Sequence, residues 1–392
     1  MKENMNKIND VKKAMVVVFM LLWAGIASSM AQECRKQPLN FVSADSVLSW
    51  GGDRTDLKST ALAVDSTLKE RPVVVEKKDR KRFQMDEQQW RTLCAGSCSA
   101  DGRSWEDGMP EVTVVRQRIH EAARWFLWTA DGRYMDFIER SSFNYLLSIT
   151  DEHQPLSFDK HVAAQTLMDV SGMIYATDDE GVYVNLYLNN STHITTPKLN
   201  LVVDQITALP NEPRLKIRIS GLAKGRTPFT IRFRIPDWAL RQSNAWVPYR
   251  YADSPLPLPT IYINGRDERL TMENGYIVVQ RLWNNGDEIY LDFPFDFVVL
   301  HENTPKGNFG VLQRGPLVYG TTELPEFLCL PHKLQVEEGW PNIYGHSVFS
   351  VKLHEKAASL RAVEFSPIMD GSQFCRIPLC EGRPLSGASS HE

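Results

Sequence analysis

No cysteine stands between Cys98 and Cys329 in this 392-residue chain. A thiol nucleophile, or a metal held by cysteines, is therefore excluded across its whole middle. Cys94 and Cys98 have no second ligand pair at a matching spacing. The six cysteines can pair as disulfides, with Cys94/Cys98 and Cys375/Cys380 nearest in sequence, or stay as thiols, and a metal on the CxxxC is the third option. A surplus of positive charge is missing too. Residues 1–31 carry four lysines and two acids, and the remainder sets 40 basic against 46 acidic residues. A formal charge of about −6 excludes nucleic acid as the main partner. The apolar run from Ala14 to Ala27 is short for a spanning helix. With Lys2, Lys7, Lys12 and Lys13 before it and Ser29-Met30-Ala31 after it, residues 1–31 read as a secretory signal peptide. The mature chain then starts near Gln32 and is exported to the periplasm or beyond the cell. An uncleaved signal segment is the one route to a membrane, and Glu33 before Cys34 argues against lipidation.

Residues 32–110 have few sustained periodic runs, and the charged stretch Glu76–Phe83 reads as a solvated face or a disordered linker. From Glu111 the pattern becomes helical. Val112, Val115, Ile119, Ala122, Ala123 and Phe126 form one face, ended by Asp131-Gly132. Tyr134, Phe137, Ile138, Tyr145 and Leu146 mark a second helix, and a third is predicted from Val162 to Tyr175. After Asp178 the period becomes two. Residues 182–188, 199–203, 214–219, 229–235, 288–293 and 297–302 alternate as antiparallel strands do. Asn264-Gly265 and Asn274-Gly275 are hairpin signals, and Tyr251–Thr260 is a Pro-rich loop. The fold class expected is mainly β with an α-helical N-terminal part. The divisions are 1–31 signal peptide, 32–110 unassigned and partly disordered, 111–176 helical, 177–300 β-sandwich, and 301–392 a partial C-terminal β-domain with a disordered tail from Glu381.

The blocks GRYMDFIERSSFNYLL, SGMIYATDDEGVYVNLYLNN, FTIRFRIPDWA, GYIVVQRLWNNGDEIYLDFPF and VLQRGPLVYG, in this order, resemble glycoside hydrolase family 127, the β-L-arabinofuranosidases, over roughly residues 111–320. The resemblance implies the end of an (α/α)6 catalytic barrel followed by antiparallel β-sandwich domains, with most of the barrel truncated. It also implies a chemistry: a zinc-bound cysteine thiolate as nucleophile, a zinc-binding glutamate with further cysteines, and a glutamate acid/base upstream. Carried over residue by residue, Glu111 matches the zinc-binding glutamate and Thr113 stands where a zinc-binding cysteine belongs. Phe158 and Asp159 occupy the places of the Cys-Cys pair. Upstream, Glu106 lacks the neighbours of the acid/base motif. No catalytic residue is assigned, Glu111 is the single metal candidate, and no cofactor is expected because the zinc site is lost.

Asp159 and His161 beside the lost pair are the replacement ligands to weigh, against a solvated loop, which is the reading adopted. His120–Arg124, HEAAR, is half of a zinc-protease signature without its second histidine, and reads as an exposed helical face. Asp178-Asp179-Glu180 suits calcium, yet an Asp- and Gly-rich turn needs no metal. The expected function is an exported family-127-like protein of carbohydrate metabolism, inactive alone. Its partners would be a plant-type arabinose-containing glycan and a second chain supplying the barrel. The alternative is a non-catalytic sandwich module that binds glycan or protein through Trp238, Trp246, Tyr249 and Tyr251 around the Pro-rich insert. Loss of the barrel would leave the helices' apolar faces exposed unless they dock on the sandwich.

Overall fold

The computed structural model describes residues 35–42 except 36, 46–49, 73–79, single residues between 90 and 110, 111–150, 157–223, 226–241, 249–251, 258–304 and 307–320. Beyond these it describes the strands 335–341, 347–352, 359–364 and 377–378. Residues 1–31, read above as a signal peptide, Trp246 and the tail from Glu381 lie outside the described residues.

Helix α1 spans Val112–Thr129, α2 spans Arg133–Ser141 and α3 spans Phe158–Ser171. A π-turn over Ser142–Leu146 and a helical turn over Leu147–Thr150 extend α2. The expected apolar stripe of α1 is buried, but so are Val114, Trp125, Leu127 and Trp128, so its last five residues, 125–129, are covered all round. Ala130 ends it in the left-handed conformation, with its N–H donated to the Phe126 carbonyl. Ser157 caps α3, its hydroxyl accepting from the Lys160 amide at 3.1 Å. Among the described residues no helix is long and apolar enough to cross a membrane.

The strands, in chain order, are β1 (Asn40–Val42), β2 (Ser46–Ser49), the two-residue β3 (Trp105–Glu106) and β4 (Met109–Pro110), β5 (Tyr175–Thr177) and β6 (Gly181–Val184). Then come β7 (Asn189–Thr195), β8 (Asn200–Thr207), β9 (Arg214–Ser220), β10 (Thr227–Arg234), β11 (Tyr249–Tyr251) and β12 (Thr260–Ile263). They are followed by β13 (Arg266–Asp267), β14 (Met272–Glu273), β15 (Tyr276–Trp283), β16 (Glu288–Asp292), β17 (Phe297–Thr304), β18 (Gly307–Arg314) and β19 (Leu317–Gly320). A first sheet has the order β1-β5-β6-β10-β15-β14, and a second β13-β12-β16-β9-β8-β7-β2. A third sheet joins β11, β17, β18 and β19 to the strands 359–364, 347–352 and 335–341. Thus β17, which alternation alone would place with the sandwich, pairs with β18 instead.

The first sheet is a middle layer. Its Tyr183 and Tyr276 meet Phe126 of α1, with ring centroids 6.2 and 6.4 Å away. On its other side Tyr175 donates to Asn190 and receives from Gln205, both of the second sheet, at 2.9 and 2.8 Å. A sheet covered on both faces needs apolar residues at every position, which is why β5 and β6 are buried throughout. Residues 185–188, expected to continue β6, instead leave the sheet, and all four are buried. In the second sheet, with one face outward, β8 and β9 keep the expected alternation.

Both Asn-Gly pairs form tight hairpins with positive φ at both residues, 53° and 75° at Asn264-Gly265 and 50° and 82° at Asn274-Gly275. The second hairpin also docks the helices: the Gly132 amide donates to the Asn274 carbonyl at 2.9 Å. Residues 32–110, left unassigned by periodicity, supply β1 and β2 to the edges of two sheets. The segment before β1 runs along the end of α1, where the Arg35 and Leu39 amides donate to the Trp128 and Leu127 carbonyls.

The apolar helix faces are therefore covered: Val115, Ile119, Phe126 and Ile138 have no exposed surface, and Tyr145 is buried. Phe126 is also stacked on Phe41 at 5.7 Å. Phe126→Ala is expected to cost about 3–5 kcal/mol, as other buried Phe truncations do. Urea unfolding of the purified variant checks this; a loss below about 1 kcal/mol would mean that the helices do not depend on this contact.

Candidate functional site

The places where the family chemistry would sit are simple to describe. Glu111 is an exposed residue in extended conformation just before α1. Thr113 donates its hydroxyl to the Glu111 carboxylate at 3.2 Å. Phe158 is 70% exposed at the start of α3, Asp159 beside it is exposed, and His161 is half-buried. Asp159 and His161 thus belong to the first turn of a helix rather than to a solvated loop. No three His, Cys, Asp or Glu side chains converge on a metal-sized point among the described residues. A hydroxyl, a phenyl ring and separate carboxylates do not fit zinc in a family-type site.

HEAAR is not simply an exposed face. His120 Nε2 lies 3.0 Å from Asp169 Oδ2, which Arg116 also reaches at 3.0 Å, while Gln165 donates to Asp169 Oδ1 at 2.9 Å. The Asp169 side chain is fully buried, so this cluster ties α1 to α3. Asp178 closes its turn by accepting from the Glu180 and Gly181 amides at 2.9 and 3.0 Å. Its other oxygen accepts from Arg35 at 2.7 Å, so the turn is held without a metal. Cys94 and Cys98 are buried free thiols whose side chains hydrogen-bond to each other. That bond and burial push the Cys94 thiol up, and the same bond draws the Cys98 thiol down.

Among the described residues of the expected aromatic platform, Trp238, Tyr249 and Tyr251 are all buried and offer no exposed ring surface. They belong to the main polar assembly of the described residues, which joins α2 to the end of β10 and the turn after it. Arg234 has no exposed surface and forms ion pairs with Asp136 and Glu139 of α2. Trp238 Nε1 donates to the other Glu139 oxygen at 2.9 Å, and the Asp237 amide donates to Asp136 at 3.2 Å. Arg140 pairs with Asp237 at 3.1 Å, donates to the Ala100 carbonyl at 2.9 Å, and lies over the Tyr249 ring at 4.3 Å. The Tyr249 hydroxyl donates to Asp237 at 2.6 Å. Sequence reasoning missed this assembly because its charged members sit among apolar periods and look like solvated positions; its legible trace is the pair of blocks DFIER and RIPDW.

Three buried carboxylates here face two guanidinium groups. Burial, then the charge of Asp237, raises Asp136 well above the ordinary aspartate range, against the pull of Arg234. Glu139 is raised mainly by burial. Asp136 therefore keeps a proton in the folded chain at pH values where the unfolded chain has lost it, so its contribution favours folding at low pH and is lost as pH rises through the raised value. In Asp136→Asn that loss cannot occur. The stability of the variant relative to the native chain should improve as pH rises above the ordinary aspartate range, with a slope of up to about 1.4 kcal/mol per pH unit. Parallel stability curves in urea titrations would refute the assignment. Arg234→Met, which strands two buried carboxyls, should instead cost about 3–5 kcal/mol.

Comparison with known proteins fits this architecture. Residues 181–295 match the family model described as "Beta-L-arabinofuranosidase, GH127 middle domain". Among solved structures, a GH127 beta-arabinofuranosidase is similar with TM-score 0.61 and 20% identity over 78% of this chain and 58% of its own. A GH127 beta-L-arabinofuranosidase from Geobacillus stearothermophilus gives TM-score 0.56 and 18% identity over 72% of this chain and 55% of its own. A structure described as a glycoside hydrolase gives TM-score 0.56 and 17% identity, covering 75% and 63%. No curated protein matches. The chain spans 55–63% of the length of these structures and shares their fold, helices first and β-sheets after. Residues 181–295 thus match a GH127 middle domain, and the chain around them is similar in fold to GH127 structures.

Proposed function

We propose that this is an exported family-127-type protein of glycan metabolism that has no arabinofuranosidase activity by itself. One observation carries the reading: Thr113, Phe158 and Asp159 stand where the resemblance places the family's cysteines, and no metal-ligand set gathers among the described residues. A threonine hydroxyl that donates to Glu111 is neither a thiolate nor a soft metal ligand. The described helices, α1 to α3, also supply only part of a barrel wall, and a glycosidase site needs walls that fix the sugar and exclude water. Within this reading Glu111 is a retained position without its former partners, and a second chain completing the barrel is the partner through which activity would return. The charged, apolar and small-residue order of residues 1–31 supports export.

The purified mature chain is expected to contain no stoichiometric zinc and to release no p-nitrophenol from p-nitrophenyl β-L-arabinofuranoside. Elemental analysis beside the release assay checks both. Sustained turnover with zinc bound would refute the reading and place a replacement site near Glu111, Asp159 and His161.

A further inference from the structure

A cleft of about 610 Å³ opens where the segment before β1, the turn after β5 and the β7–β8 hairpin meet. Its apolar surface comes from Pro38, Phe41 and Pro197, and Phe41 is seated on Phe126 of the core. Three polar residues at its wall, Gln37, Asn40 and Asp179, are exposed, and their side chains have no hydrogen-bond partner among the described residues. The neighbouring cation is already committed: Arg35 donates to Asp178 at 2.7 Å and to the Tyr183 hydroxyl at 3.1 Å. The Thr195 and Thr196 hydroxyls are likewise used within their own hairpin, bonding Asn200 and Leu199.

The free groups define the ligand. One unpaired carboxylate and two amides offer acceptors and donors but no free positive charge, which disfavours an anion. A carboxylate's two oxygens can accept from two adjacent hydroxyls, and amides serve hydroxyls in either role. Pro and Phe surfaces suit the C–H face of a sugar ring. The volume lies within the range of small-molecule sites.

We propose that this cleft binds a neutral saccharide, one or two rings in size, with Asp179 and Asn40 bonding its hydroxyls and Phe41 and the prolines covering its apolar face. The inference goes beyond the preceding reading, since it concerns the sheet edges and not the helical positions, and it stands on the cleft alone. The experiment is calorimetric titration of the full mature chain with an L-arabinose-containing oligosaccharide, a neutral gluco-oligosaccharide and an acidic galacturonic oligosaccharide. Saturable binding of a neutral saccharide, weakened about tenfold or more by Asp179→Ala and by Asn40→Ala, is the expected result, with no binding of the acidic one. Both replaced side chains are exposed, so the thermal midpoint should not move, and a variant that keeps its midpoint but loses binding reports on the site. Binding that both variants retain, binding of the acidic saccharide alone, or no binding up to about 10 mM would overturn the proposal. Turnover of p-nitrophenyl β-L-arabinofuranoside by the same preparation would refute the inactive reading and leave the cleft's test unchanged.

Discussion

The structure turns on a single buried charge. Arg234 lies between Asp136 and Glu139 with no exposed surface, at the end of a central strand. Taking such ions out of water costs several kcal/mol each, and the attraction between them offsets this only when the remaining donors and acceptors are also met. They are met here: Arg234 Nε donates to the Asn185 carbonyl, Trp238 donates to Glu139, and the Asp237 amide donates to Asp136. Helix α2, strand β10 and the passage through Asn185 therefore share one guanidinium. The helices cannot leave the sheet without stranding buried charges, so they persist as part of the sandwich's packing even where a complete barrel is not described.

The same constraint explains what was readable in the sequence. DFIER and RIPDW lie almost a hundred positions apart, yet they form the two halves of one ionic lock, so two of the blocks that carry the resemblance meet in a structural device. Local period was a good guide to α1 and to the second sheet, where one face meets solvent and alternation survives. It failed where burial has two sides. Residues 182–188 look like one strand because every position is apolar or turned inward, but the chain leaves the sheet after Val184 to cross between layers. It failed again at β1 and β2, edge strands of three and four residues, too short to show a period.

The aromatic residues around the Pro-rich insert show a different limit. Tyr249 and Tyr251 flank polar, Pro-rich sequence and so resemble an exposed platform, but β11 pairs with β17 and carries both rings onto Arg140 and Asp237. Their burial depends on a partner strand some fifty residues later, which no local pattern reports. Side-chain type, in contrast, is legible from residue identities alone: Thr113 and Phe158, which the resemblance sets at cysteine positions, cannot supply a thiolate.

On the function proposed above, fold and chemistry separate in this chain along a physical line. The groups that hold helices to sheet are desolvated and interlinked, so replacing any one leaves another unpaired and is costly. The residues that the resemblance places at the family's chemical positions are at or near the surface, where Thr113 bonds its neighbour Glu111 and Phe158 meets solvent. A substitution there costs the fold little, since no buried partner depends on it. The positions that the resemblance assigns to chemistry are consequently less constrained by the described structure than those of the ionic lock. An arrangement of this kind can retain its architecture, and any binding cleft built on its sheet edges, whatever residues stand at the positions assigned to chemistry.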